Sequence, residues 1–352
     1  FIMKNVIITI FCFVFIILGF KAFPQTSEKY NSNKNFTIAF YNIENLFDTI
    51  LSSDKGDSQF LPDSEKKWNS ERYNQKIENI AKVISLINEN ENPEIVGLCE
   101  VENRLVLQYL VQNKYIKNSS YKIIHEESPD SRGIDVALLY REDEFTYLSH
   151  ISIPVTFPFS KNSKVRDILY VKGVINNYDT IHVFVNHWKS RVGGMKETEP
   201  KRVFSAMILK NYTDSILKAN TKAKIIAMGD FNDEPTNKSL NQLLDANNKQ
   251  HNFTEFELYN LMYDMHNINN RGTYFYNGEW NMLDNIIVSR NIIYDRIGLH
   301  TDYNSGKIFS PDWLMSPDKN AKYNIPFATF SGKTYKGGYS DHLPVYVTLF
   351  KE

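Results

Sequence analysis

Eight short runs of β-branched, aromatic and other apolar residues recur along the chain, each five to seven residues long, and they restrict it to a strand-rich α/β architecture. They are Phe36–Asn42, Glu94–Cys99, Ile134–Tyr140, Leu169–Ile175, Ile181–Asn186, Lys224–Met228, Asp284–Ser289 and Val345–Phe350. Runs this short suit strands rather than helices. Their near-continuous apolar character requires cover on both faces. Aromatic residues make up 14% of the sequence, which suits the pleated surface of a sheet. Between some runs lie helical patterns. Ile77, Ile80, Ala81, Ile84 and Ile87 predict an amphipathic helix over 72–90, stopped by Asn90 and Pro93. Val203, Met207, Ile208 and Leu217 predict another over 201–218. Several strand pairs have no helix between them, which favours mixed, mainly antiparallel sheets over a doubly wound parallel one. Two such sheets packed face to face, with helices outside, bury every run.

The first residues read as a targeting segment. Lys4 precedes Val6–Phe20, an apolar run of the length of a signal core and short for a membrane span. The expected organisation is a signal peptide over 1–23, a polar linker over 24–35 and one catalytic domain over 36–352. That implies export to a periplasmic, outer-surface or secreted location, or membrane anchoring if the segment is retained. Only Cys99 then remains, so no internal disulfide forms. Its apolar neighbours mark it as a buried small hydrophobe. The formal net charge is −1, so no global field recruits nucleic acid, and any phosphate-binding surface is local.

Polar clusters stand at the ends of the strands. They are Tyr41–Asn45, Glu100–Asn103, Asn186–Arg191, Gly229–Asp233 and Tyr339–Pro344, with Asp284 opening a further strand. Taken singly, each reads as a turn, a cap or a solvated side chain. Together they fit one site, because strand ends gather at a sheet edge. Glu100, helped by Asp230 or Asp341, suits a hard divalent cation. His342 paired with Asp284, and His187 paired with Asp135, would give positioned bases or cationic clamps. No zinc-type Cys/His spacing and no phosphate-binding GxxxxGK[ST] loop is present.

The ordered set NIENLF, GLCEVEN, SRGIDVALLY, NHWKSR, GDFND, LDNIIVS and YSDHLP resembles the endonuclease/exonuclease/phosphatase superfamily over residues 36–350, and within it the exported bacterial branch. The resemblance implies a four-layer α/β sandwich and a Mg²⁺-dependent phosphodiesterase, with Mn²⁺ or Ca²⁺ as alternative ions. It places Asn42 and Glu100 at the metal, with Asp341 beside it. Asp230 would orient the attacking water and Asn232 would contact the phosphate. Asp284 would orient His342, and His187 would be the second histidine. Arg166 would lie near the phosphate. The usual LQE of the family reads Leu98–Cys99–Glu100 here, with its glutamate kept.

The substrate is less legible. Lys189, Arg191, Lys196, Lys201 and Arg202 could track a phosphate backbone or form a solvated loop. Residues 303–339 are aromatic and basic, with Tyr303, Phe309, Trp313, Tyr323, Phe327 and Tyr335 among Lys319, Lys322, Lys333 and Lys336. They could stack bases, touch a lipid surface or pack on themselves. The leading expectation is an endonuclease acting on DNA or RNA, without an obligate protein partner. Lipid or sugar phosphoesterases and a non-catalytic secreted binding protein are the alternatives.

Overall fold

The computed structural model describes residues 35–351 apart from 53–55, 89–90, 176–178, 252, 269–270, 297 and 318–322. The expected signal segment, nearly all of the linker, Asn90, Lys319 and Lys322 lie outside the described residues. Among those described, no helix is long and apolar enough to cross a membrane.

All eight expected runs are strands. In the first sheet, β1 (Phe36–Leu46) pairs in parallel with β2 (Ile95–Val101) and antiparallel with the C-terminal strand Val345–Lys351. Beyond β2 lie β4 (Asp135–Arg141) and β3 (Tyr121–His125), both antiparallel to their neighbours. The second sheet runs β5 (Phe145–Ile153), β6 (Ile168–Ile175), β7 (Asp179–His187), β8 (Lys224–Asp230), Asp284–Ser289, Leu258–Asn260 and Ala246–Asn247. Among the described pairs of this sheet, β7–β8 and Leu258–Asn260 with Ala246–Asn247 are parallel and the rest antiparallel. The edge strands β3 and β5 carry no long apolar run. Most of β5 is exposed, so its burial leaves little pattern to read.

Alternation along each strand splits the apolar residues between layers. Phe36, Ile38 and Phe40 of β1 point between the sheets, as do Ile226 and Met228 of β8. Tyr41, Ile43 and Leu46 face helices α1 (Ser70–Leu86) and α2 (Arg104–Val111). Ile225 and Ala227 face α3 (Met195–Ala219). The layers are therefore helix, sheet, sheet, helix. Cys99 is buried between the sheets, as expected of a small hydrophobe. Gly97 lets the sheets approach: a Cβ there would meet Met228 Cε at 2.7 Å.

The helix bounds depart from expectation for a local reason. Asn69 caps α1, its side chain accepting from Arg72 N at 3.0 Å. Helix α3 begins at Met195, well before its apolar stripe, and runs through Pro200. Near a helix start, Pro forfeits one interior hydrogen bond, and the rest of α3 continues.

The segment 303–339 turns most of its aromatics inward. Phe309, Trp313 and Tyr339 pack on the layer of α1 and α2, and Phe330 and Tyr335 pack on Phe60 and Trp68. Buried Glu44 accepts from Thr329 N at 2.7 Å and Phe330 N at 3.1 Å, and Lys76 donates to Tyr339 O at 2.7 Å. Of the aromatics that could stack bases or touch lipid, Tyr303, Phe309, Trp313, Phe327 and Tyr335 are half-buried, and Tyr323 is exposed.

Candidate active site

Strand direction dictates which residues meet. The parallel pairs β1–β2 and β7–β8 send four C-terminal ends to one edge of the sandwich. Strands antiparallel to them contribute their beginnings. The register sets His187 beside Asp230 and Asp284 on the other side of Asp230. The strand Val345–Lys351 runs against β1, so Asp341 and His342, just before it, reach the same edge. Gly229 permits this crowding, since a Cβ would meet Asn186 O at 2.3 Å.

The backbone turns sharply there. Glu44, Asn45, Glu100 and Asn232 all have positive φ, from 47° to 65°. For non-glycine residues this left-handed geometry costs energy and clusters at functional sites. It bulges β1 between Asn42 and Leu46, and Asn45 N donates to Glu100 Oε2 at 2.9 Å.

Asp230 is the hub. Its Oδ2 accepts from Asn42 Nδ2 at 3.0 Å, lies 3.6 Å from His187 Nε2 and 3.9 Å from His342 Nε2. Its Oδ1 accepts from Asn232 N at 2.9 Å. His342 Nδ1 donates to Asp284 Oδ2 at 2.7 Å, and the His342 ring stacks on Tyr274 at 4.7 Å between centroids. Burial pushes the Asp230 carboxyl up to about 6; the His342 charge draws it down and the Asp284 carboxylate pushes it up. Burial opposes a charge on His342, yet Asp284, Asp230 and Asp341 hold its pKa well above the usual value. His187 goes the other way: burial and the cations Arg166 and Arg132 push it well below. These surroundings favour the imidazolium form of His342 and the neutral ring of His187.

Glu100 has its carboxylate on Arg132, with Nη1–Oε1 and Nη2–Oε2 both 3.1 Å. Burial would raise its pKa, but Arg132 outweighs burial and lowers it. Asp341 lies beside it, raised by burial and by the charge of Glu100. Glu100, Asp341 and Asp230 line one cleft with Asn42, so oxygen-bearing side chains and negative charge gather at this edge. That fits a hard divalent cation. At this edge the described trio with donor atoms within 4.8 Å of one another is Asp230, Asp284 and His342, and its Asp284–His342 pair is closed by a hydrogen bond.

A cleft of about 700 Å³ opens from this edge. Its lining includes Asn42, Glu100, Arg132, His187, Asp230, Asn232, Asp341 and His342, together with Tyr274, Tyr276 and Val192–Met195. Tyr274 and Tyr276 stack at 6.2 Å with planes 13° apart, and Tyr276 is 59% exposed. They belong to the hairpin Tyr274–Asn281, whose turn carries Gly278 at φ 86°.

Several expected roles are corrected. Asp135 does not pair with His187. Its Oδ1 accepts from Ser128 N at 2.8 Å and from Ser128 Oγ, and its Oδ2 lies 3.3 Å from His125 Nε2. The Nδ1 of His187 is buried with no protein partner. Arg166 does not face the cleft: it pairs with Asp130 at 2.9 Å and donates to the carbonyls of His187 and Trp188. Arg191 lines the cleft but donates to Asn232 O, Asn281 Oδ1 and Asn237 Oδ1. Arg202 is fully buried against Asp233 at 2.7 Å. Lys189 is half-buried outside the cleft lining, and burial lowers its pKa. The basic cluster after His187 is therefore mostly scaffolding. Asn232 lines the cleft, although its Nδ2 donates to Trp188 O at 3.1 Å. Sequence reading missed Arg132 and the two tyrosines. Arg132 stood inside the SRGIDVALLY motif, in the turn leading into a strand that begins at the site edge.

The sequence profile of the Endonuclease/Exonuclease/phosphatase family matches residues 37–351. No curated protein matches the sequence. Among solved structures, D. rerio TDP2 complexed with single strand DNA product superposes with a TM-score of 0.54 at 14% identity, covering 90% of this chain and 98% of that one. The human Nocturnin catalytic domain with bound sulfate anion gives 0.52 at 15%, covering 91% and 98%. A mannosyl-6-phosphatase of Bacteroides thetaiotaomicron gives 0.53 at 16%, covering 89% and 99%. At such identities the likeness shows the fold alone.

Proposed function

The chain belongs to the endonuclease/exonuclease/phosphatase family, and from that membership we propose that it is a divalent-metal-dependent phosphodiesterase acting on nucleic acid. The observation that carries the hydrolase reading is the hub geometry: Asp230, raised to about 6, stands within 4 Å of one neutral and one charged histidine. Asp230 accepts the proton of the attacking water, oriented by Asn42 and Asn232 N. The His342 imidazolium, fixed by Asp284, faces the charge that grows on the phosphate oxygens. His187, neutral and 3.6 Å from Asp230 Oδ2, hydrogen-bonds the substrate. Glu100 and Asp341, with Asn42 and Asp230 beside them, would hold the cation. Once bound, Mg²⁺ or Mn²⁺ supplies Lewis-acid polarisation of a phosphate oxygen.

Nucleic acid is favoured by the ring ladder His342–Tyr274–Tyr276. It leads from the reacting end of the cleft outward and offers an exposed face on which a base can stack. A similar architecture in a protein complexed with a single strand DNA product fits this reading. The apolar run Val6–Phe20 supports the further proposal that the enzyme works outside the cytoplasm. Cell fractionation that leaves the full chain in the cytoplasm would end that proposal.

The test is a substrate panel with purified protein and Mg²⁺ or Mn²⁺. Plasmid DNA and single-stranded oligonucleotides are expected to be cut, and EDTA or His342→Ala is expected to stop cutting. Intact nucleic acid alongside hydrolysed sphingomyelin, inositol phosphate or sugar phosphate would overturn the substrate assignment and leave the hydrolase.

A further inference from the structure

Glu100 lines the cleft, and its carboxylate is already engaged by the protein. A carboxylate offers about four acceptor positions. Arg132 takes one on each oxygen and Asn45 N takes a third, while His187 Nε2 stands 4.0 Å from Oε1. A dication cannot gain full access to Glu100 while the guanidinium stays. The other two arginines near the site are committed to internal partners, Arg166 to Asp130 and two carbonyls, Arg191 to three oxygens. Arg132 differs from both. Its side chain is 44% exposed, lines the cleft and, among the described residues, bonds Glu100 and Asn45 through its tip.

Its backbone, by contrast, is fixed. Arg132 N donates to Asp130 Oδ1 at 2.9 Å, and Asp130 Oδ2 is held by buried Arg166. Ser131 O and the Arg132 backbone lie against Gly56, where a Cβ would come within 2.7 Å of Ser131 O. A half-exposed guanidinium on an anchored turn can change partner without moving the loop.

We propose that Arg132 is an exchange latch: it neutralises Glu100 in the cation-free protein, and swings to clamp the substrate phosphate when a divalent cation takes Glu100. This rests on the reading above that a cation binds at Glu100. The planar fork that fits a carboxylate bidentately fits a phosphate equally well. Releasing Glu100 costs free energy to whichever ligand binds first, and the phosphate recovers it. Cation and phosphate therefore bind with positive coupling, each raising the affinity of the other by the same factor. The latch also keeps a buried carboxylate paired whenever the cation is absent.

The test measures Mn²⁺ binding by electron paramagnetic resonance of the free ion, with and without inorganic phosphate, in the wild-type chain, Arg132→Gln and Lys66→Gln. Lys66 feels the charges of Glu100 and Arg132, and no hydrogen bond joins it to Glu100, so it controls for general field effects. Without phosphate, Arg132→Gln is expected to bind Mn²⁺ about tenfold tighter, the scale of one charge-assisted hydrogen bond, and Lys66→Gln much less so. Phosphate is expected to tighten Mn²⁺ binding to the wild type and to do so far less in Arg132→Gln. Equal or weaker Mn²⁺ binding in Arg132→Gln, an equal gain in Lys66→Gln, or undiminished phosphate coupling would each overturn the latch while leaving the cation reading intact. If Arg132→Gln does not fold, Arg132→Lys replaces it, with a smaller gain expected and no gain counting against the latch. Failure of every variant and the wild type to bind Mn²⁺ would remove the cation reading and the latch with it.

Discussion

His342 and His187 point at the same oxygen, Asp230 Oδ2, from 3.9 and 3.6 Å, and both are buried, yet their pKa values are pushed in opposite directions. The difference lies behind the rings. His342 has the Asp284 carboxylate 2.7 Å from Nδ1. His187 has no protein partner on Nδ1 and is flanked by the cations Arg166 and Arg132. Burial alone would leave both neutral; the hydrogen-bonded Asp284 carboxylate, with Asp230 and Asp341, is what reverses one of them. A pair of like residues thereby offers a donor of charge and a neutral hydrogen-bonding group on either side of one carboxylate.

The sharpest way to break this contrast is substitution of each histidine. His342→Ala is expected to lower kcat/KM on an oligonucleotide about 10³-fold, within the range for a positioned acid or base. His187→Ala is expected to cost about tenfold to a hundredfold, as a lost hydrogen bond to the reacting groups. Equal losses would mean that the charge difference is catalytically idle. Next in size is Arg166→Met. It leaves Asp130 buried and unpaired and frees the carbonyls of His187 and Trp188, so about 3 kcal/mol of stability should be lost in urea titration. Retained stability would show that the support behind His187 is dispensable.

A smaller, pH-dependent effect sharpens the comparison, read as Tm in EDTA between about pH 5 and pH 8. The folded pKa of His342 lies above that of an unfolded histidine, about 6.5. Its contribution is complete below that value and lost as pH rises through the folded pKa. His187 has the reverse sign: its contribution is complete above about 6.5 and is lost as pH falls toward its lowered pKa. His187→Asn should therefore flatten the acid side of the Tm profile, and His342→Asn the alkaline side. Parallel profiles for the two variants would contradict the opposite charge assignment. Smallest is Tyr276→Ala, expected to raise KM on a single strand about fivefold with kcat unchanged, the lower end of base stacking. An unchanged KM would separate the charged end of the cleft from any role for the ring ladder.

Much of this arrangement was legible beforehand. The period and length of the apolar runs predicted the eight long buried strands, because burial on two faces forces that composition, but not the two- and three-residue buried strands Ala246–Asn247 and Leu258–Asn260. Polar residues at strand ends could be assigned to one edge, and Asp284–His342 was paired correctly from the motifs that carry them. Edge strand β5 and the polar start of α3 were missed, since exposed segments leave no periodic trace. Asp135 was given the wrong histidine. Several histidines could reach a carboxylate at a strand start, and only the β3–β4 register brings His125 to it.

The amino-acid sequence by itself determined the layers, the family and the inventory of acids, amides and histidines at the sheet edge, because hydrophobic periodicity and strand-end chemistry are local properties. Tertiary structure decided how each long polar side chain is used. Arg132, Arg166, Arg191 and Arg202 are the same residue in sequence, but one lines the cleft on a carboxylate, two brace carbonyls and neighbouring amides, and one is sealed in an ion pair. A guanidinium reaches several ångströms from its backbone and binds any oxygen it meets, so its partner is set by which strands and turns the fold brings within that reach.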